Sequence, residues 1–268
     1  MKGRMGLLIA SAAVYMLCIS LPVIVVEQIT GFWKVFEQAM EEYIALFENP
    51  KYEAINAWAL AYSDKLGVSI ATFIFLLLVP GPLTLGLSTI WLHVIRRKEA
   101  YTDMVLSGFS NFLRTVLMDT LRRIIMALLA ILLIIPGIIA YYRYSLAFFL
   151  LADNPEMKPF EALIYSRYYM QRNKGSRFLL DLSFIGWFAL SIVAFSLIND
   201  GLAIILSGIG EMTLFSQLIV SFIISAIVFA PVCAYRGVAA AEYYHRVICM
   251  DPKHDVTSKL ELPSGFIR

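Results

Sequence analysis

Charge is what this chain has least of. Only 16% of its 268 residues are Asp, Glu, Lys or Arg, against about 25% in an ordinary soluble domain. With 60% hydrophobic residues and a mean hydropathy of +0.74, it carries more apolar surface than a single soluble core buries. A bilayer solvates such surface, so the soluble globular class is set aside. Cysteine is also scarce. Cys18, Cys233 and Cys249 lie in apolar or interfacial stretches, with no CxxC and no metal-ligand spacing, and read as small packing residues. His93, His245 and His254 are scattered along the chain. No metal or other cofactor is expected. There is no Gly-rich phosphate loop, no HExxH and no GxSxG, and no series of carboxylates that would mark a proton pump. The expectation is a protein without catalysis.

What the chain does have is long apolar runs. Five stand out, at about Gly6–Val26, Leu66–Val94, Ile124–Leu151, Phe178–Ile198 and Leu214–Tyr235. Each is long enough as a helix to cross about 30 Å of hydrocarbon at about 1.5 Å per residue. A β-barrel needs alternating ten-residue strands, whereas these runs are continuously apolar, so helices are predicted. The first run follows a basic start, as in a signal peptide, but no small-x-small cleavage site precedes Glu27. It reads as a retained span.

Basic residues in the flanks set the expected orientation, because cytoplasmic loops are rich in Lys and Arg. The stretch Glu27–Lys65 has three basic residues against seven acidic ones, and Asn199–Gln217 has no basic residue. By contrast Ile95–Arg123 has six and Ala152–Arg177 has five. Five straight spans would put several basic segments outside. A reversal at Pro136-Gly137 makes every basic segment cytoplasmic, giving about six passes with both termini inside. Pro136 removes a helix hydrogen bond and Gly137 permits a turn. The first arm of that hairpin then starts near Asn111, with Arg122 and Arg123 paired to Asp119 three and four residues back. Whether the hairpin spans fully or is re-entrant stays open.

Two amphipathic segments are expected at the interfaces. In Gly31–Pro50, Phe32, Phe36, Met40, Tyr43 and Phe47 recur at helical spacing with acidic residues elsewhere, and Asn49-Pro50 stops the helix. In Asp153–Gly175, Phe160, Leu163, Ile164 and Tyr168 share a face, and Arg167, Arg172, Lys174 and Arg177 make the segment basic. Those four cations are candidate lipid-headgroup contacts. Pro follows an apolar run three times, at Pro80, Pro136 and Pro231, and two of these are followed by an aromatic segment bearing Arg. Backbone freed by such breaks must find partners in protein, water or ligand. The candidate ligand-binding residues are therefore Arg143 and Arg236, with Tyr141, Tyr142, Tyr144 and Tyr235. An interfacial aromatic belt is the other reading of the same residues. Asp181 is expected to pair with Arg177, and Glu242 with Arg246, each four residues apart.

The motifs IPGI (Ile135–Ile138), Tyr144–Ala147, Ala152–Pro155, Glu161-Ala162, Ser166-Arg167 and Leu179–Trp187 occur in order, with Gly81–Ser88 before them and Ala230–Tyr244 after. This pattern resembles a bacterial integral-membrane family called domain of unknown function nine hundred seventy-five. That family is similar in pattern to the membrane region fused to some glycerophosphodiester phosphodiesterases. The likeness implies closeness to lipid headgroups and no transferable catalytic residue. Arg122-Arg123 and the long acidic loop after the first span depart from the pattern.

The expected fold is an all-α polytopic bundle of about six passes, with Pro-broken helices and two interfacial helices. Residues 1–250 form one membrane domain and residues 251–268 a short cytoplasmic tail, in the cell membrane. The expected function is binding or moving an anionic lipid or other amphiphile. The alternative is a scaffold for another membrane protein. Expected partners are membrane lipids, and also another membrane protein or a second copy of the chain; nucleic acid is not expected.

Overall fold

The structure, a computed structural model, describes residues 4–48, 52–62, 70–207 and 214–249. The Asn49-Pro50 stop, Glu211, the side chains of Phe47 and Cys249, and the tail from residue 251 lie outside the described residues. The chain is all-α. In order it forms α1 (Met5–Ile29), α2 (Phe32–Glu48), α3 (Tyr52–Tyr62), α4 (Ile70–Leu78) and α5 (Pro80–Ile95). A 3-10 helix (Thr102–Asn111) leads into α6 (Phe112–Leu132), α7 (Ile134–Arg143), α8 (Ala147–Asp153) and α9 (Pro159–Tyr169). Then come α10 (Lys174–Ser183), α11 (Ile185–Ser207) and α12 (Leu214–Cys249).

Among the described residues, five stretches are long and apolar enough to cross a membrane: Met5–Ile29, Ile70–Ile95, Ile134–Asp153, Lys174–Ile205 and Ser216–Ile248. Helix α6 is not among them, because Arg114, Asp119, Arg122 and Arg123 interrupt its apolar sequence. Much of the outer surface is apolar. On α11, Ile185, Trp187, Leu190, Leu197 and Ile204 are each more than half exposed. A face of this kind is stable against hydrocarbon and not against water.

Helices α5 and α12 form the axis of the bundle. Helix α5 is buried nearly all round, from Leu83 to Val94, as expected of a mostly apolar helix in a core, with Thr84, Ser88 and Thr89 bonded back to carbonyls of its own turn. One side of this axis packs Leu83, Leu87 and Ile90 with Leu8 and Ala12 of α1 and Ala230 and Ala234 of α12. The other side packs Leu85 and Leu92 with Leu146–Leu151 around α8, Leu163 of α9, and Ala240 and Tyr244 of α12. At one end Arg96 grips Asp153 through both carboxylate oxygens, with Arg96 Nη2 to Oδ2 at 2.8 Å. The Tyr244 hydroxyl donates to the same carboxylate at 3.1 Å.

The three prolines behave differently from one another. Val79 N–H still bonds Phe75 C=O at 2.9 Å, so α4 and α5 meet with Pro80 as the first residue of a new helix, where a missing N–H costs nothing. Pro231 lies inside α12 without interrupting it. The reversal assigned to Pro136-Gly137 occurs earlier. Leu133 is extended (φ −159°, ψ 141°), α6 ends at Leu132, and Pro136 sits in the first turn of α7. The proline ring clashes with the carbonyl four residues back, which is that of Leu132, so the helix before it stops there.

Gly137 serves close packing here, and the turn is made without it. A Cβ at Gly137 would lie 2.8 Å from Ala130 Cβ and 2.9 Å from Ala130 Cα, so α6 and α7 touch backbone to side chain. The tip they make, Ile131–Ile135, is apolar and more than two-thirds exposed at every residue.

The two segments expected at the interfaces form helices, and the buried face of the second differs from the expected one. Helix α2 packs on α3, where the Tyr43 and Trp58 rings lie 4.8 Å apart and Trp58 Nε1 donates to Ala39 C=O at 2.9 Å. Helix α9 buries Ala162, Leu163, Ser166 and Tyr169, while Phe160 of the expected apolar face is 62% exposed. The buried stripe is rotated because Ser166 has a structural task. Its hydroxyl donates to Arg143 C=O at 2.9 Å and accepts from Leu146 N–H at 3.2 Å, so it satisfies the backbone at the break between α7 and α8.

Gly137→Ala is expected to destabilise the protein by about 1–3 kcal/mol through overpacking. Thermal unfolding in detergent measures this, with Ile138→Ala as the neighbouring control. A midpoint for Gly137→Ala at or above that of the control contradicts the close contact.

Candidate functional site

Arginine and aspartate converge inside the bundle in two sets. In the first, Asp119 is 1% exposed and holds both Arg122 and Arg123 at 2.7 Å, the pairing that the three- and four-residue spacing predicts. The Arg122 guanidinium also lies over the Phe148 ring, 4.9 Å from its centre, a cation–π contact. In the second, Asp181 of α10 holds Arg236 of α12 at 2.9 Å and Arg177 of its own helix at 3.7 Å. The closer partner is thus Arg236, 55 residues further along the chain. Arg236 Nη2 also donates to the Tyr141 hydroxyl at 3.1 Å, which ties α7 to the same point.

Between these two sets is a cavity of about 360 Å³, walled by α1, α5, α6, α7, α8, α10 and α12. That is within the usual size of a small-molecule site. Three guanidiniums line it, those of Arg122, Arg177 and Arg236. Tyr15, Ser88 and Trp91 also line it. The hydroxyls there are engaged: Ser88 donates to Thr84 C=O at 2.8 Å, and Tyr15 meets Thr84 Oγ1 at 3.2 Å. Three buried donors are not. Among the described residues, Arg177 Nε and Nη1 and Trp91 Nε1 have no acceptor, and Asp181 Oδ2 has no donor. Arg177 as a whole is 6% exposed, with its ring neighbour Tyr243 5.7 Å from the guanidinium carbon. Buried polar groups are ordinarily paired, so each exception calls for an explanation. An acceptor-rich, negatively charged group in the cavity would satisfy these donors. Trp91 is held in place by the absence of a side chain opposite, since a Cβ at Gly237 would come within 2.1 Å of its ring.

The candidate residues read from the sequence separate here. Tyr141 and Arg236 come together at the cavity. Tyr142 packs edge-on against Tyr141 and Phe178, with centroids at 5.1 and 5.8 Å. Tyr144 is buried in the core and Tyr235 is 52% exposed beside Phe184. Arg143 is half-buried and does not line the cavity. Among the four expected headgroup contacts, Arg167 and Arg172 are exposed and Lys174 is half-exposed. Arg177 is not with them; it is buried at the cavity. The helix α10 that begins at Lys174 turns Arg177 inward on the face that carries Asp181 one turn later. Arg122 and Trp91 were not among the candidates. The one sequence signal for Arg122 was its place in an otherwise apolar stretch.

A bundle of apolar helices with charged groups gathered inside it is the architecture of an integral membrane protein. Residues 124–250 match the model of the family described as protein of unknown function (DUF975). No curated protein and no solved structure matches the chain. The matched stretch holds Arg177, Asp181, Arg236 and Tyr141, whereas Arg122 and Asp119 precede it.

Asp119→Ala is expected to cost about 3 kcal/mol, because it leaves the mostly buried Arg122 guanidinium without its carboxylate, while Arg123, 39% exposed, adds little. Replacing Arg122 and Arg123 by Met in the same chain is expected to recover most of that loss. Thermal unfolding of the single and triple variants is the measurement. A triple variant no more stable than Asp119→Ala would mean that the carboxylate acts other than by charge balance.

Proposed function

We propose that this chain is a cell-membrane protein that binds or moves an anionic amphiphile, with the charged head in the arginine-lined cavity. The observation that carries the reading is Arg177, buried and lining the cavity with two nitrogens, Nε and Nη1, that have no acceptor among the described residues. A buried guanidinium without a full set of partners is costly, and an anionic oxygen relieves that cost directly. A neighbouring apolar groove supports an amphiphile over a simple anion. It is formed between α6 and α7 by Ala127, Ala130, Gly137 and Ile138, and Tyr141 is a wall of both groove and cavity. A hydrocarbon chain in that groove would join a head in the cavity past the Tyr141 ring.

Binding without catalysis is also part of this reading. Its support is that Asp119 is held by two arginines at 2.7 Å each, and that Asp181 is held by Arg236 at 2.9 Å through Oδ1. A carboxylate so held is a poor base. The expected roles are Arg177 and Arg122 on the anion, Arg236 with Tyr141 at the rim, and Trp91 as a further donor. Arg143, first expected to share the headgroup with Arg236, has no place in this scheme.

The basic segments about Arg96 and Arg172 are proposed to face the cytoplasm, with both termini on that side, in keeping with their charge. In a cysteine-free background, Arg172→Cys is expected to react with an impermeant thiol reagent only after the cells are opened. Labelling of intact cells would overturn this orientation.

Native mass spectrometry of gently solubilised protein tests the binding itself. The unaltered chain is expected to retain an anionic lipid. Arg177→Gln is expected to lose it about tenfold more readily, the scale of one charge-assisted hydrogen bond. A lipid-free protein, or retention unchanged by Arg177→Gln, would count against the proposal.

A further inference from the structure

The depth of the cavity along the membrane-length stretches bears on whether an amphiphile is only held or is moved. The central residues of Met5–Ile29, Ile70–Ile95 and Ser216–Ile248 are Leu17, Pro82-Leu83 and Val232. The lining residues Tyr15 and Met16, Thr84, and Cys233 are next to those centres. On Ile134–Asp153 the lining residues Tyr141 and Ser145 fall on either side of the centre. Arg177 comes from near the start of Lys174–Ile205 and is tied to the same level by Asp181, which Arg236 also holds.

Distances from one end of the bundle agree. That end is marked by Asp153 with Arg96 and Tyr244, and by Arg4 on the Lys98 carbonyl. At about 1.5 Å per residue, α12 runs about 12 Å from Tyr244 to Arg236 and about 16 Å to Cys233, and the chain runs about 16 Å from Arg4 to Tyr15. Hydrocarbon is about 30 Å thick, so the cavity stands at about half its depth. A headgroup at rest in either leaflet lies at the membrane surface. One seated among Arg122, Arg177 and Arg236 has left that level and is close to midway.

The groove continues in the same direction. It starts at Tyr141, on the cavity, and reaches Ala130 and Ile134 at the hairpin tip, away from the Arg96 end. Ile134 and Ile138 are exposed, so the groove is open sideways to lipid chains. The cost of carrying charge into hydrocarbon is what opposes the crossing of a headgroup, and fixed guanidiniums at mid-depth lower it. Transporters place their substrate sites near the midplane, at broken helices.

Resting on the reading of the cavity as an anion site, we infer that the chain moves an anionic lipid between the two leaflets. The headgroup passes through the mid-depth cavity while the acyl chains stay in lipid by way of the open groove.

The test reconstitutes the full chain in phosphatidylcholine vesicles, sealed against an enclosed soluble dye. The vesicles carry a trace of phosphatidylglycerol or phosphatidylcholine with a nitrobenzoxadiazole label on one acyl chain. Dithionite, added outside, bleaches label in the outer leaflet, and slower bleaching of the remainder reports movement from the inner one. Labelled phosphatidylglycerol is expected to move about tenfold faster than labelled phosphatidylcholine, the scale of one charge-assisted hydrogen bond. Arg177→Gln is expected to remove that difference and Arg177→Lys to keep part of it, which separates lost charge from lost folding. Arg246→Gln, outside the cavity, is expected to leave it unchanged.

Retention of phosphatidylglycerol in native mass spectrometry without faster bleaching would overturn the movement and leave the binding site standing. Neither retention nor movement would overturn both. Movement equally fast for the two lipids and unchanged by Arg177→Gln would overturn the cavity as the route.

Discussion

The arrangement of the bundle around its cavity depends on Asp181. This one carboxylate reaches Arg177 on its own helix and Arg236 on α12, and through Arg236 it reaches the hydroxyl of Tyr141 on α7. Three helices from distant parts of the chain are thereby fixed at one polar point in an apolar interior. Ion pairs on a wet surface contribute little. Inside a bundle of this kind the balance differs, because breaking the pair leaves charges with nowhere to go. The geometry is accordingly specified more tightly here than apolar packing alone would achieve.

A second polar set, Asp119 with Arg122 and Arg123, faces the first across the cavity. Both are built on one pattern of one acid between two arginines. A protein that needed only internal glue would be better served by matched pairs such as Arg96 with Asp153. Three guanidiniums line the cavity, and an anionic oxygen among them is the use proposed for that arrangement. The tyrosines and Trp91 add shape and further donors without adding charge. The apolar groove beside Tyr141 gives the same site a face toward hydrocarbon.

Proline illustrates how local chemistry is shaped by its surroundings. Pro80 opens a helix that continues the line of the one before it, Pro136 follows a sharp reversal, and Pro231 rides inside an unbroken helix. All three follow apolar runs. What separates them is packing: Pro80 is followed by the buried run of α5, and α7 folds back onto α6 at the Gly137–Ala130 contact. The motif therefore marks places where a helix is weakened, and the neighbours decide whether it yields.

Much of this protein is legible in the order of its residues. The apolar runs dictate helices, because backbone polar groups have no other partners in hydrocarbon. Pairs at three and four residues, Asp119 with Arg122 and Arg123, and Arg177 with Asp181, follow from helical geometry alone. Most of the motifs that carry the family likeness lie in the matched stretch, and Gly81–Ser88 precedes it. Beyond that distance sequence spacing is silent. Nothing within α10 or α12 says that Arg236 meets Asp181, or that Arg177, one of a run of basic residues, is turned inward while Arg167 and Arg172 stay out. Nothing local marks Trp91 or Arg122 as walls of one cavity. Those facts are decided only when seven helices pack together, because a cavity is a property of the space between elements and its charge is a sum over residues far apart in the chain.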